Sequence, residues 1–376
     1  MNGNQKNQPI GLDIGHSNLK MVQLAISEDR IKVLAARRAP LDVDPALDGQ
    51  ERERTVILAV RRLLADSPFR GRNVISALPI DTLRITSLRL SETETPQADK
   101  ILRKEAAERF GLDPHRDTIN YIHAGSVRQG DVVKDEHILF AADSETIGKH
   151  IRILEESGLT PVGIDAPPCA LFRTFERTMR RQEDRERTII FIDVGHRFTT
   201  VVFGRNSDIC FVKQIPVGIG QFTGEIASSL GISLADAESL RLKLLRDEPV
   251  EASTRRPVVD ALNVMAEQLA GEISLCLRYY TVTFRGKRVE RAVVAGGGAY
   301  EQILRDALRR HLSVDVEIAD PLRGFEYSPG AIDDHCGNGS ADLALAVGLS
   351  LKGWGVSVST PMHDDPLESV LEGEPL

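Results

Sequence analysis

The sequence predicts an α/β protein built from two related halves, and three observations lead there. The first is an internal echo. Leu-Asp-Ile-Gly-His at 12–16 returns as Ile-Asp-Val-Gly-His at 192–196, which puts Asp13 and Asp193 at 193 − 13 = 180 positions apart. The second is a β-forming run just beyond each copy. After a short polar turn come Leu19 to Leu24 and Thr199 to Phe203, so a strand–turn–strand pattern is written twice. The third is a later strand, Ala292 to Ala295. It passes through Gly296, Gly297 and Gly298 into an amphipathic helix with Ile303, Leu304, Ala307 and Leu308 on one face.

Composition sets the class. The chain has 376 residues, 41% of them hydrophobic and 27% charged, which suits a folded protein with a sizeable core. Its net charge of −8 and its 5% aromatic content argue against a nucleic-acid surface. The four cysteines, Cys169, Cys210, Cys276 and Cys336, form no CxxC pair and read as small core hydrophobes in a reducing compartment. The opening residues hold no apolar stretch of signal-peptide type, and no apolar run approaches a membrane span.

The first turn carries the first candidate chemistry. Gly15 permits a tight backbone turn, and such a turn gathers several N–H groups into one anion-binding concavity. Ser17 and Asn18 add side-chain donors, and Lys20 adds a cation for phosphate. Asp13 offers a carboxylate suited to hydrated Mg²⁺, which keeps most of its waters. Either turn alone also reads as an ordinary hairpin. His16 and His196, each following the Gly, read as polar turn residues, since two His alone make no metal site.

Further along, residues 97–110 read as a charged amphipathic helix, 137–142 as a strand and Ser144 to Gly158 as a helix. The charged run 181–188 marks a boundary. The second turn then offers Asp193, Gly195, Thr199 and Thr200 for the same roles as the first, so two facing turns would clamp a polyphosphate from both sides. Residues 246–257 read as a polar surface loop and 258–284 as a long helix. The Gly296–Gly298 turn ahead of a helix N-terminus suits a phosphate, ribose or base, or is simply a tight strand–helix turn. It is not GxGxxG, and no GxxxxGK[ST] exists in the chain, so Rossmann and P-loop classes are excluded. From His363 onward the tail has five acidic residues and no Lys or Arg, and disorder is expected over 355–376.

In this order and spacing, the three motifs resemble the actin-like ATPase superfamily, which includes actin, sugar kinases, DnaK-type chaperones and FtsA. Within it, IGLDIGHSNLKMVQL, IPVGIGQFTGEIASSLGISLADAESLRLKLL (215–245), AVVAGGGAYEQILRDALRRHLSVDVEIADPL (292–322) and LALAVGLSLKGW (343–354) resemble the PilM family of type IV pilus assembly, grouped with competence protein A. The resemblance covers most of 9–355. It implies the actin-like ATPase fold: two ribonuclease-H-like domains around a nucleotide cleft, with a small inserted α+β subdomain. The domains would be 9–180, including an insert at about 85–160, and 188–354. Phosphate-1, phosphate-2 and adenosine motifs would lie at 11–24, 191–203 and 292–299.

The resemblance further implies ATP and Mg²⁺ as ligands. Asp13 and Asp193 would place Mg²⁺ through water. Gly15, Ser17, Lys20, Gly195 and Thr199 would meet phosphates, and Gly296, Gly297 and Gly298 would back the adenosine. A second-domain helix near Glu238, Arg241 and Lys243 would pack on the base. The implied partner is the cytoplasmic N-terminal tail of an inner-membrane, PilN-like protein, docked on the inserted subdomain. That makes the chain a cytoplasmic protein peripheral to the membrane, with self-association possible. Two departures from the family pattern bear on turnover. Asp165-Ala166-Pro167-Pro168 has Pro167 where the family carries a water-orienting Glu, leaving Asp165 as the nearest carboxylate, and the first turn has His16 and Asn18 where small hydroxyl residues are usual. ATP binding with slow or absent hydrolysis is therefore expected. A small-molecule kinase and an FtsA-like filament former share the motifs, and a type II secretion cytoplasmic domain shares the fold. No second-segment Asp base is evident for the kinase, and the acidic tail is unsuited to anionic lipid.

Overall fold

The computed structural model describes residues 6–27, 30–41, 49–91, 93–129, 132–177, 187–205, 207–284, 288–333 and 339–354. Cys336, most of the charged run 181–188, and the tail 355–376 lie outside them. The first half contributes β1 (Lys6–Asn7), β2 (Ile10–Ile14), β3 (Asn18–Ser27), β4 (Arg30–Pro40), α1 (Gly49–Ala65), β5 (Asn73–Ala77), β6 (Arg84–Ser91), α2 (Ala98–Phe110), β7 (Thr118–Gln129), β8 (Val132–Ala142), α3 (Ser144–Glu156) and β9 (Thr160–Asp165). After α4 (Pro167–Glu176) come β10 (Thr188–Val194), β11 (Thr199–Arg205), β12 (Asp208–Ile215), α5 (Ile219–Leu230), α6 (Leu234–Leu245), α7 (Ala252–Phe284), β13 (Val289–Ala295), α8 (Gln302–Leu312), β14 (Asp315–Ile318), β15 (Glu326–Tyr327) and α9 (Ala344–Leu351).

The echo in the sequence is an echo in topology. One sheet runs β15-β4-β3-β2-β5-β9 and the other β12-β11-β10-β13-β14. In both, an antiparallel meander of three strands is extended by two parallel strands beside the first of the three. The registers match as well: Asp13 lies opposite Lys20, and Asp193 opposite Thr200. β3 alternates between two apolar layers. Leu19 and Met21 face α1 and α3, while Val22 and Leu24 face α9. Burial on both faces explains why this strand reads as one apolar run.

Two helices exchange sides. α4 follows the first sheet but packs on the second, where Phe172 and Phe175 meet Phe191 at ring separations of 5.9 and 5.3 Å. α9 closes the chain's second half but covers the first sheet. The two helices cross closely. A Cβ on Gly348 would fall 1.8 Å from the Ala170 carbonyl oxygen; α9 also lies close on β2, where a Cβ on Gly11 would fall 2.0 Å from the Ala346 carbonyl oxygen. Thr174 Oγ1 donates to the Ala344 carbonyl at 2.6 Å across the same crossing.

The stretch expected as an insert divides. β6, β8 and β7 form a separate sheet covered by α2, whereas α3 packs on α1 and β9 joins the first sheet. The other face of this third sheet, with Ile122, Ile138 and Phe140, merges with the core of the second half. The polar loop expected over 246–257 is shorter than the sequence suggests, because α7 begins at Ala252. It takes Pro257 into its second turn, at the loss of one backbone donor.

Candidate functional site

The two turns have the same internal bond. Gly15 N–H donates to the Asn18 carbonyl at 3.0 Å, and Gly195 N–H donates to the Phe198 carbonyl at 3.0 Å. A Cβ on Gly15 would stand 2.6 Å from the Asn18 carbonyl oxygen, so the turn needs glycine. The turns face each other, with the His16 and Phe198 rings 6.1 Å apart. α5 starts against the second turn, where Ile219 and Gly220 N–H groups donate to the Gly195 and His196 carbonyls.

Between the turns lies a charged group that the sheet register assembles. Asp13, Lys20 and Arg38 stand opposite one another across β2, β3 and β4. Lys20 Nζ donates to Asp13 Oδ2 at 3.0 Å. Arg38 grips Asp342, in the turn just before α9, with two bonds, one of 2.7 Å from Nε. Burial disfavours the Lys20 ammonium, yet Asp13, Asp342 and Asp193 around it hold its pKa above the ordinary lysine value. Burial, with Asp13 close by, pushes the Asp193 carboxyl up to about 6. Three carboxylates, those of Asp13, Asp193 and Asp342, thus gather around the Lys20 ammonium, a setting that suits a hydrated divalent cation.

The glycine turn closes over the second hairpin. Gly296, at φ +83°, lets the chain pass Asp193 where a Cβ would stand 2.5 Å from Oδ1. Gly298 packs against Val194 and Ile219, but Gly297 is exposed with nothing within 4 Å of a Cβ. This leaves one bare peptide, at Gly297, facing open space. Beside it, buried Arg241 on α6 pairs with buried Glu301 at the start of α8 and lies 3.9 Å from Glu238. Arg241 Nε is buried without a hydrogen-bond partner, so an acceptor on a ligand fits there. These residues fit a magnesium nucleotide: carboxylates and Lys20 at one end, glycine backbone and an orphaned donor at the other.

Other expected site residues are differently employed. Asp165 is tied to Arg173 at 2.7 Å, to Lys352 at 3.5 Å and to the Ala166 N–H at 2.9 Å. Its oxygens are therefore taken by an ion cluster that joins β9, α4 and the end of α9, and none is left to act as a base. Thr199 is fully buried, and its hydroxyl donates to the Val217 carbonyl at 2.7 Å. Lys243 is exposed and, two residues from Arg241, does not share its face. Ser17 accepts from Asn18 Nδ2 at 3.2 Å at the rim of the first turn. Sequence reasoning missed Arg38, Asp342, Arg52 and Asp81. Among them only Asp342 left a local trace, as an acid just ahead of the apolar run that forms α9.

Residues 11–354 match the family model described as type IV pilus assembly protein PilM. Among solved structures, the chain superposes on one from a PilM–PilN type IV pilus biogenesis complex with a TM-score of 0.75. Sequence identity there is 22%, over 92% of this chain and 98% of that one. It also resembles the ethanolamine utilization protein EutJ from Carboxydothermus hydrogenoformans, with a TM-score of 0.52 and 15% identity over 93% of this chain and 90% of that one.

Proposed function

The chain belongs to the PilM family of type IV pilus assembly proteins and has the actin-like ATPase fold, and from that premise we propose that it is an ATP-binding scaffold with weak or absent hydrolysis. The observation that carries the reading is the pair of matched turns facing each other around Lys20 and the carboxylates Asp13 and Asp193. In this reading those carboxylates hold Mg²⁺ through water. Backbone N–H groups of the Gly15 and Gly195 turns, with Ser17, Asn18 and Lys20, take the phosphates. Gly296, Gly297 and Gly298 back the adenosine, and Glu238 and Arg241 flank the base. Bound Mg²⁺ would neutralise phosphate charge. The protein orients the nucleotide but supplies no base, since Pro167 has no polar side chain and Asp165 is engaged elsewhere. Nucleotide then acts as a ligand that closes residues 9–180 on 188–354.

The likeness to the PilM–PilN complex supports a PilN-like partner, whose cytoplasmic N-terminal tail would hold this chain at the inner face of the membrane. No helix of the described residues is long and apolar enough to cross a membrane. A berth for the tail is the groove of about 340 Å³ between β6 and β12, lined by Ile85, Ser87, Ile138, Phe211 and Tyr279 among others. β6 and β12 each end their sheets, so both present unpaired backbone groups to an extended peptide. The test is binding of a fluorescent tail peptide to the purified chain with and without Mg-ATP. Saturable binding, weakened about tenfold by Ser87→Trp in the groove, is the expected result. Binding that Ser87→Trp leaves intact would move the partner elsewhere.

A further inference from the structure

The mouth of the cleft holds a cluster that the nucleotide reading leaves unused. Its centre is Asp81, in the loop after β5. One carboxylate oxygen, Oδ2, lies 3.4 Å from His16 Nε2 in the first turn and 3.9 Å from Arg197 Nη1 in the second. The loop is held in place from the second half of the chain, because Gln214 Nε2 donates to the Ile80 carbonyl at 2.7 Å. Arg52 reaches the same place from α1. It donates to the His16 and Gly15 carbonyls at 3.2 and 3.0 Å and senses the charges of both Asp81 and Arg197. The two turns are thus bridged by one carboxylate with two guanidinium groups beside it.

The strengths of these contacts differ. Arg52 is fastened to the first turn by two bonds. Arg197 is 58% exposed, and its approach to Asp81 at 3.9 Å is an ion pair beyond hydrogen-bond range. Such a pair contributes little and gives way readily to a better anion. A terminal phosphate is that better anion, with more charge and more acceptor oxygens, and guanidinium is the side chain that matches it best. In the nucleotide reading, phosphates held beside Asp193 and Lys20 would point their far end toward the tips of the two turns, which Asp81 bridges.

We propose that Arg197 exchanges Asp81 for the terminal phosphate of a nucleoside triphosphate, which makes the cleft mouth the element that tells triphosphate from diphosphate. The inference rests on the cleft's binding nucleotide. No covalent bond changes: Arg52 keeps the first turn in shape, Arg197 swings from carboxylate to phosphate, and Asp81 is left with His16. Asp81 therefore acts as the resident competitor, and Arg197 as the group that reads the third phosphate.

The test is calorimetric binding of Mg-ATP and Mg-ADP to the full chain, to Arg197→Ala and to Asp81→Asn. The wild type should prefer ATP. Arg197→Ala should lower the ATP-to-ADP affinity ratio about tenfold, the worth of one charge-assisted contact, and Asp81→Asn should raise it. A ratio that either variant leaves unmoved, or moves the other way, overturns the exchange while leaving nucleotide binding standing. A wild type that binds neither nucleotide fails the nucleotide reading itself, and this inference with it.

Discussion

Asp165 and Asp193 are both carboxylates at strand ends, and their neighbours send them in opposite directions. Burial would raise either one. At Asp165 the charges of Arg173 and Lys352 overcome burial and hold the pKa below the usual range. At Asp193 burial combines with the nearby Asp13, and the pKa rises to about 6. The first is a structural ion cluster and the second a buried carboxylate with another carboxylate beside it. Asp165→Ala should therefore cost about 3–5 kcal/mol in urea unfolding, because it strands the buried guanidinium of Arg173. An unchanged unfolding midpoint would remove Asp165 from the frame. His150 gives a second prediction at this scale. Ser76 donates to the Leu12 carbonyl, so it accepts from His150 Nε2 at 3.1 Å, and burial lowers the His150 pKa from 6.5 to about 4. The unfolded chain thus binds the proton first. Stability is full above pH 6.5 and falls as pH drops toward 4, by on the order of 3 kcal/mol. His150→Gln should flatten that limb of the pH–stability curve, and a curve identical to wild type would contradict the assignment. Asp13 and Asp193 were legible in the sequence because each sits in a repeated local motif. Arg38, Asp342, Arg52 and Asp81 were not, because a sheet register and a helix crossing bring them in from remote positions. Asp165 misled for the same reason, since one of its partners, Lys352, lies at the far end of the described chain.

At the scale of elements, the crossing of α4 and α9 joins the halves. It depends on Gly348, where backbone meets backbone. Gly348→Ala should destabilise by about 1–3 kcal/mol through overpacking, measured as a lowered thermal midpoint. A midpoint at or above the wild-type value would mean the crossing relaxes freely and does not act as a fixed pivot. Of these two helices the sequence offered α9 only through the family resemblance of 343–354 and α4 not at all, and neither helix carries a sign of which sheet it will cover. Strand periodicity likewise gave β7 and β8 no marker that separates them from α3 and β9. Only pairing decides which sheet a strand joins, and pairing is a long-range property.

At the scale of the molecule, two copies of one topology face each other across a charged cleft, and a third sheet leans on the second half beside a groove. Duplication explains why so much of the architecture was visible: a turn that occurs twice at equal depth in two halves implies a pseudo-symmetric pair before any contact is known. The groove was invisible for the opposite reason, being made of two strand edges far apart in the chain. Everything proposed for the molecule, from partner docking to cleft closure, hangs on whether the cleft takes nucleotide. The decisive experiment is calorimetric binding of Mg-ATP to the purified chain and to Asp13→Asn, with phosphate release followed in the same samples. Saturable, magnesium-dependent binding that is lost in the variant, with little phosphate released, is the expected outcome. Binding that Asp13→Asn leaves unchanged, or a wild type that binds nothing at millimolar nucleotide, would overturn the nucleotide-scaffold reading.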